Sequence, residues 1–208
     1  MRILHLPGAL ALMAICLTPL VARAEQPPAD RIVIDVVTVN GSGCRVGTSA
    51  VAVSPDNTAF TVQFSDYAAG VGPGFGPVES RRNCQLNLRV RVPSGYTYAI
   101  AGYDHVGFLS LAQGAQAMLR SEFHFQGQSS APLATWQFQG PREDEWQVSN
   151  RVEPAALIYA PCGEQRSLNL NTEIRVMKGA SPPSATSFMS MDTGGRAQLY
   201  QLVWKRCP

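Results

Sequence analysis

The chain has 208 residues, 45% of them hydrophobic and 15% charged, with 17 Lys and Arg against 15 Asp and Glu. That length suits one ordinary domain with a real core. The near balance of charge leaves no global pull toward nucleic acid or an anionic membrane, so neither is expected as a partner.

Residues 1–24 read as a secretory signal: Arg2 supplies the positive start, Ala9 to Val21 a short apolar core, and Ala22-Arg23-Ala24 a small-x-small cleavage site. Pro7 and Pro19 bracket an apolar run shorter than the roughly 20 residues that cross a bilayer. Cys16 follows Ile15 inside that core, where a lipidation signal wants a small side chain. Cleavage makes Glu25 the first mature residue and removes Arg2 and Arg23, which leaves 15 residues of each sign. No later segment is long and apolar enough to anchor in a membrane. The expectation is a soluble exported chain, extracellular, or periplasmic where the host has an outer membrane, with residues 25–208 as its one domain.

Loss of Cys16 turns five cysteines into four: Cys44, Cys84, Cys162 and Cys207. In an exported protein an even count means disulfides, and four cysteines allow three connectivities. One bridge per half, Cys44 to Cys84 and Cys162 to Cys207, is the favoured pairing. Loops of about 41 and 46 residues would then each contribute roughly 4 kcal/mol through chain entropy. A zinc site fits poorly, because no cysteine pair has C-x-x-C spacing and neither His105 nor His124 lies near a cysteine in sequence. No metal or cofactor is expected.

From there the dominant period is two, the signature of strands with one buried face. Alternation places strands at 31–40, 49–53, 58–64, 84–92, 96–103, 107–112, 115–125, 135–139, 146–152, 156–159, 167–177, 187–191 and 197–205. Turn chemistry separates them, as in NGSG at 40–43, VGPGFGP at 71–77, PSG at 93–95, SPPS at 181–184 and TGG at 193–195. The best helical rhythm, LAQGAQAMLRSEF at 111–123, carries Gly114 in its middle and runs into an alternating segment, so no helix is expected. Many short strands with Gly and Pro between them predict an all-β fold, an antiparallel β-sandwich stapled by disulfides.

Two of these strands echo one another. In QLNLRVRV, Leu86, Leu88, Val90 and Val92 alternate with Gln85, Asn87, Arg89 and Arg91; in SLNLNTEIRV, Leu168, Leu170, Ile174 and Val176 alternate with Asn169, Asn171, Glu173 and Arg175. A true duplication would make them equivalent strands in the two sheets. The polar rows offer donors suited to hydroxyls, carboxylates or phosphates, which makes Arg89, Arg91, Asn169 and Asn171 ligand-binding candidates against a solvated sheet face.

Catalytic signals are sparse. Ser42 in NGSGC lacks the spacing and helix of a nucleophile elbow. Tyr103-Asp104-His105 sits where one strand ends, and neighbouring strand residues face opposite ways, so a polar turn is the plainer reading of it. Asp35, Asp66, Asp104, Glu122, Glu173 and Asp192 could furnish a glycosidase pair, but sequence cannot bring any two together. The acidic run of Glu143, Asp144 and Glu145 lacks the alternation of a calcium loop, and Arg142 opposes a cation; it reads as a solvated turn. Among aromatics, Phe123, Phe125, Trp136 and Phe138 fall on apolar faces, while Tyr67, Phe75, Tyr96, Tyr103 and Tyr159 lie near strand ends as surface candidates. The loop AAGVGPGFGPVE at 68–79, with Phe75 at its tip, is the best binding loop by composition.

Particular phrases carry more than periodicity does. IDVVTVNGSGC (34–44), VAVSPDNTAFTVQFSDYAAGVGPG (51–74), SRRNCQLNLRVRVPSGYTYAI (80–100), FQGQ (125–128), PCGEQRSLNLNTEIRV (161–176), SFMSMD (187–192) and WKRC (204–207) resemble the secreted family catalogued as domain of unknown function 4360, found in bacteria and fungi. The resemblance covers essentially the whole mature chain, departing only in the variable stretches 113–120 and 142–153. It implies a single-domain, secreted protein whose four recurring cysteines are met here by Cys44, Cys84, Cys162 and Cys207, and it supplies no catalytic residue. The functional expectation is a non-catalytic extracellular binding or structural module for a carbohydrate or another cell-surface ligand. A secreted hydrolase using carboxylates and a small secreted inhibitor or effector are the alternatives.

Overall fold

The structure is a computed structural model that describes residues 25–191 and 194–208, so the segment 1–24 expected to be a signal, with Cys16, and also Asp192 lie outside the described residues. Twelve strands form among them: β1 Val33–Asn40, β2 Ser49–Val53, β3 Ala59–Phe64, β4 Ala68–Val71, β5 Arg81–Arg91, β6 Tyr96–Leu111, β7 Gln116–Phe125, β8 Ala134–Gln139, β9 Arg142–Arg151, β10 Leu168–Met177, β11 Ser187–Ser190 and β12 Gln198–Arg206. They build two antiparallel sheets. The first has the order β1-β5-β10-β7-β8; the second runs β2-β3-β12-β6-β11-β4, with β9 on the free side of β6. The antiparallel sandwich expected from the alternation is the fold of the protein.

The core lies between the sheets and is built from every second residue of each strand. From the first sheet come Leu86 and Leu88 of β5, Leu168, Leu170 and Ile174 of β10, and Leu119, Phe123 and Phe125 of β7, all essentially buried. The second sheet answers with Phe60 and Val62 of β3, Ile100 and Leu109 of β6, and Tyr200, Leu202 and Trp204 of β12. Phe60 stacks on Tyr200 with ring centres 4.9 Å apart, and Tyr98 meets Phe125 edge-on at 5.3 Å across the sheets. Cys44 is bonded to Cys84 and Cys162 to Cys207, one bridge in each half of the chain.

Several local expectations need correction. Segments 96–103 and 107–112 are one strand of 16 residues, β6, and Tyr103-Asp104-His105 lies inside it rather than in a turn. Asp104 points outward to Ser149 and to the Arg151 guanidinium, which it pairs at 2.9 Å, while His105 points inward and is fully buried. Glu143, Asp144 and Glu145 belong to strand β9, where Arg142 pairs with Asp144 and Arg196 with Glu145. Residues 154–156 form a 3-10 turn in place of the expected strand at 156–159. Tyr67 and Tyr103 are core residues, each only 1% exposed, not surface rings.

What lets β6 run unbroken is a side chain. β11 and β12 pair with the same edge of β6 and are separated by 191–197, so Val106 has no backbone partner on that side. Gln198 fills the gap: its Oε1 accepts the Val106 N–H at 3.0 Å, and its Nε2 donates to the carbonyls of Val106 at 3.1 Å and Met191 at 2.7 Å. The same Oε1 faces His105 Nδ1 at 3.2 Å, and because an amide oxygen only accepts, Nδ1 carries the proton. His105 Nε2 therefore accepts from the Ser121 hydroxyl, 2.9 Å away on the opposite sheet.

Burial of this neutral ring pulls His105 down to about 4. The unfolded chain takes the same proton near 6.5, so between pH 6.5 and pH 4 the unfolded state binds more protons and acid destabilises the fold. Urea unfolding should lose roughly 3 kcal/mol of stability across that window through this group. A His105→Gln variant should show a flatter dependence between the two pH values; an unchanged slope would count against the assignment.

Candidate functional site

A period of two puts the residues between the core positions on the outer side of the first sheet. Register then decides which of them meet. Asn87 of β5 stands opposite Asn169 of β10, Gln85 opposite Asn171, and Asn83 opposite Glu173; on the far side of β10, Asn169 faces His124 of β7, Asn171 faces Glu122, and Glu173 faces Arg120. The two echoing strands are thus neighbours in one sheet, not counterparts in two. Their polar rows, separate in sequence, form one continuous face.

Cross-strand bonds order that face. Asn87 Nδ2 donates to Asn169 Oδ1 at 2.9 Å, and Asn171 Nδ2 donates to Glu122 Oε1 at 3.1 Å. Arg81 Nε donates to Glu173 Oε2 at 2.8 Å, its second nitrogen contacts the same oxygen, and Arg175 lies 3.5 Å from the other oxygen. Glu173 is only 13% exposed, and the Arg81 hydrogen bond, against a smaller opposing effect of burial, holds its carboxyl below the usual range. The sheet hollows here into an open cleft of about 390 Å³, lined by Arg81, Asn83, Gln85, Arg120, Glu122, Leu133, Asn171 and Glu173. Leu133 supplies an apolar wall and is 53% exposed.

The sequence candidates separate on this map. Asn171 lines the cleft, and Asn169 is buried beside it as its structural support. Arg89 is exposed on the same face two strand positions further along, opposite Asp35 of β1. Arg91 is tied up at the margin, its Nε 2.7 Å from Asp35 Oδ2. Phe75 lies elsewhere. Its ring covers Gly70, where a Cβ would come within 2.3 Å of it, and Glu79 pins the loop through the Gly76 N–H and Arg82. The loop 68–79 is a folded cap on β4, and Phe75 is half-buried in it.

Sequence reasoning missed Arg81, Arg120 and Leu133. Arg120 and Glu122 were legible as the outward partners of the buried Leu119, Ser121 and Phe123 on β7, but no single-strand pattern says which strands lie side by side. Glu122 and Glu173 were candidate carboxylates, and register makes their strand positions diagonal neighbours across β7 and β10, with backbones roughly 7–8 Å apart as in any antiparallel pair.

The class that fold and face define is a disulfide-stapled antiparallel β-sandwich with one ordered polar sheet face. The chain belongs to the family described as a domain of unknown function, DUF4360, whose model matches residues 30–207. An uncharacterized secreted protein of the fungus Arthroderma benhamiae is 29% identical over 186 residues, spanning 88% of this chain and 75% of that protein. The protein is accordingly secreted. Among solved structures, TmCBM61 in complex with beta-1,4-galactotriose aligns over 85% of this chain and 88% of its own at 10% identity and a TM-score of 0.26. The enzymatically active domain of bacteriophage CBA120 tailspike protein 4 aligns over 82% of this chain and 19% of its own at 12% identity and a TM-score of 0.27. Likenesses this remote carry no argument about ligand or mechanism.

The Arg81 hydrogen bond is the main cause that holds the Glu173 carboxyl below its ordinary range. In an Arg81→Gln variant the Glu173 carboxyl should titrate higher than in the wild type, followed by carboxyl carbon NMR; an identical titration would show that another group holds it.

Proposed function

We propose that the protein is exported after loss of residues 1–24, that residues 25–208 fold as one domain, and that this domain is a non-catalytic module whose outer five-stranded face binds a hydroxyl-rich polymer, a glycan of the cell surface or surroundings. The observation that carries the reading is the cleft lined by Gln85, Asn171, Glu122, Glu173, Arg81 and Arg120, in which cross-strand bonds already order Asn171 with Glu122 and Arg81 with Glu173. Sugar hydroxyls both donate and accept, and amides, carboxylates and guanidiniums together offer both roles. Groups fixed before binding lose little side-chain entropy when the ligand arrives. The open shape suits a segment of a chain lying across the strands.

A hydrolase reading draws on Glu122 and Glu173, carboxylates at diagonal positions of β7 and β10, as a glycosidase acid and base would need to be neighbours. It is the weaker of the two. A general acid must keep its proton near neutral pH, whereas Arg81 drives Glu173 the other way, and Asn171 already occupies a Glu122 oxygen.

Amino-terminal sequencing of the secreted protein should begin at Glu25. Mature protein run through gels cast with neutral and acidic polysaccharides should be retarded by at least one. Asn171→Ala and Arg120→Ala should each weaken that binding about fivefold, the size of one net hydrogen bond near 1 kcal/mol. Retardation by none, or variants that bind like the wild type, would refute the module. Release of new reducing ends from the bound polysaccharide, abolished by Glu122→Gln, would favour the hydrolase instead.

A further inference from the structure

The guanidiniums on the outer face of the five-stranded sheet are not alike. Arg81 directs two nitrogens at Glu173 Oε2, Arg175 lies 3.5 Å from Glu173 Oε1, and Arg91 holds Asp35. Arg120 is different. It is exposed, it lines the cleft, and it makes no hydrogen bond or ion pair among the described residues. Register sets it opposite Glu173, but that carboxylate already has Arg81 and Arg175 on its two oxygens. Three guanidiniums, Arg81, Arg120 and Arg175, thus stand around two carboxylates, Glu122 and Glu173, and one positive charge is left over at the cleft.

The chemistry that suits this arrangement is narrow. A guanidinium presents N–H donors in a planar fork that matches a carboxylate, and such charge-assisted bonds are stronger than those to neutral oxygens. The rest of the cleft makes a second demand. Glu122, two residues along β7 from Arg120, has Oε1 taken by Asn171 Nδ2 at 3.1 Å, and an ionised carboxylate offers only acceptors. It repels a dense run of anions and favours an O–H donor. Gln85 adds an exposed amide, and Leu133, 53% exposed, gives an apolar wall for the C–H face of a ring. A carboxylate that carries hydroxyls on the same ring meets both demands. Acidic polypeptides and heavily sulfated chains bring anions with few or no hydroxyls to donate.

We propose that the glycan taken by this cleft is a uronic-acid polysaccharide, one of whose carboxylates pairs with Arg120 while hydroxyls of the same unit donate to Glu122. The proposal rests on the reading of the sheet face as a glycan-binding module and names the class of its ligand. Arg120 is then the residue that determines specificity. A neutral polymer of the same backbone keeps the hydroxyl contacts and loses the charged pair, so it binds more weakly.

The test is gel retardation of the mature protein by polygalacturonate, its carboxyl-reduced neutral form, alginate, dextran sulfate and polyglutamate. At least one uronate should retain the wild type, about fivefold or more tightly than a carboxyl-reduced form of the same polymer. Raising the salt from about 0.05 M to about 0.5 M should weaken the uronate complex and spare the neutral one. Arg120→Gln should hold the acidic and reduced forms alike, Arg120→Lys should recover part of the preference, and Arg142→Gln, an equal loss of charge on the other sheet, should keep all of it. A wild type that holds the reduced polymer as tightly as the acidic one, or neutral polysaccharides only, overturns the uronate proposal and leaves the glycan module standing. Retention by no polysaccharide, neutral or acidic, sinks both. Dextran sulfate or polyglutamate held as tightly as the uronates overturns it as well, as does an Arg120→Gln variant that keeps the preference. Should Arg120→Gln fail to fold, Arg120→Lys and the comparison of acidic with reduced polymer on the wild type decide.

Discussion

The register of β10 between β5 and β7 is the constraint on which the rest of the structure depends. Leu168 is placed against Leu88 and Phe125, and Leu170 against Leu86 and Phe123, so the inward row is aliphatic and aromatic on all three strands. A slip of one residue would expose those leucines and bury Asn169, Asn171, Glu173 and Arg175. Burying that row without partners costs several kcal/mol per charged group, far more than a sheet of this size can tolerate. Supporting bonds fall on the same register. The Tyr67 hydroxyl donates to the Thr172 carbonyl at 2.9 Å from the facing sheet, and the Cys44–Cys84 bridge ties β5 to the segment before β2. The polar cleft is thus the outer face of a packing solution set by the core.

Much of this was legible in sequence. Alternation alone located nearly every strand, because one face of each is buried and the other wet, and the even count of cysteines in residues 25–208 pointed to two bridges. Adjacency was not legible. The repeated Leu-Asn-Leu of β5 and β10 is consistent with strands in either sheet; antiparallel pairing sets Asn87 directly against Asn169, and nothing within a single strand encodes that choice. The break expected near residue 104 failed for a related reason. Asp104 and His105 look like a polar turn, yet the ladder continues because Gln198, 92 residues beyond Val106, supplies the missing backbone contacts. The short β4 escaped notice because Ala68, Ala69 and Gly70 carry too little side chain to show a period.

Charge illustrates the difference between global and local reading. Residues 25–208 carry 15 basic and 15 acidic residues, which leaves no global pull toward either sign of charge. On the outer sheet face, however, Arg81, Arg89, Arg91, Arg120 and Arg175 outnumber Asp35, Glu122 and Glu173. Three of those arginines surround Glu173, and its carboxylate neutralises only part of their charge. The face is therefore polar and mildly cationic, with Leu133 as its apolar element and amides between the charges. That composition favours recognition through hydroxyl and carboxylate groups over recognition by stacked aromatic rings.

The most direct test of the ligand face is backbone amide shift mapping of the isotope-labelled mature protein, titrated with oligosaccharides cut from a polysaccharide that it retains. Perturbations gathered on residues 81–89, 118–124 and 169–175 are the predicted result. Perturbations confined to the outer side of the β6-containing sheet, or to the loop 68–79, would contradict the account and move the ligand face elsewhere on the sandwich.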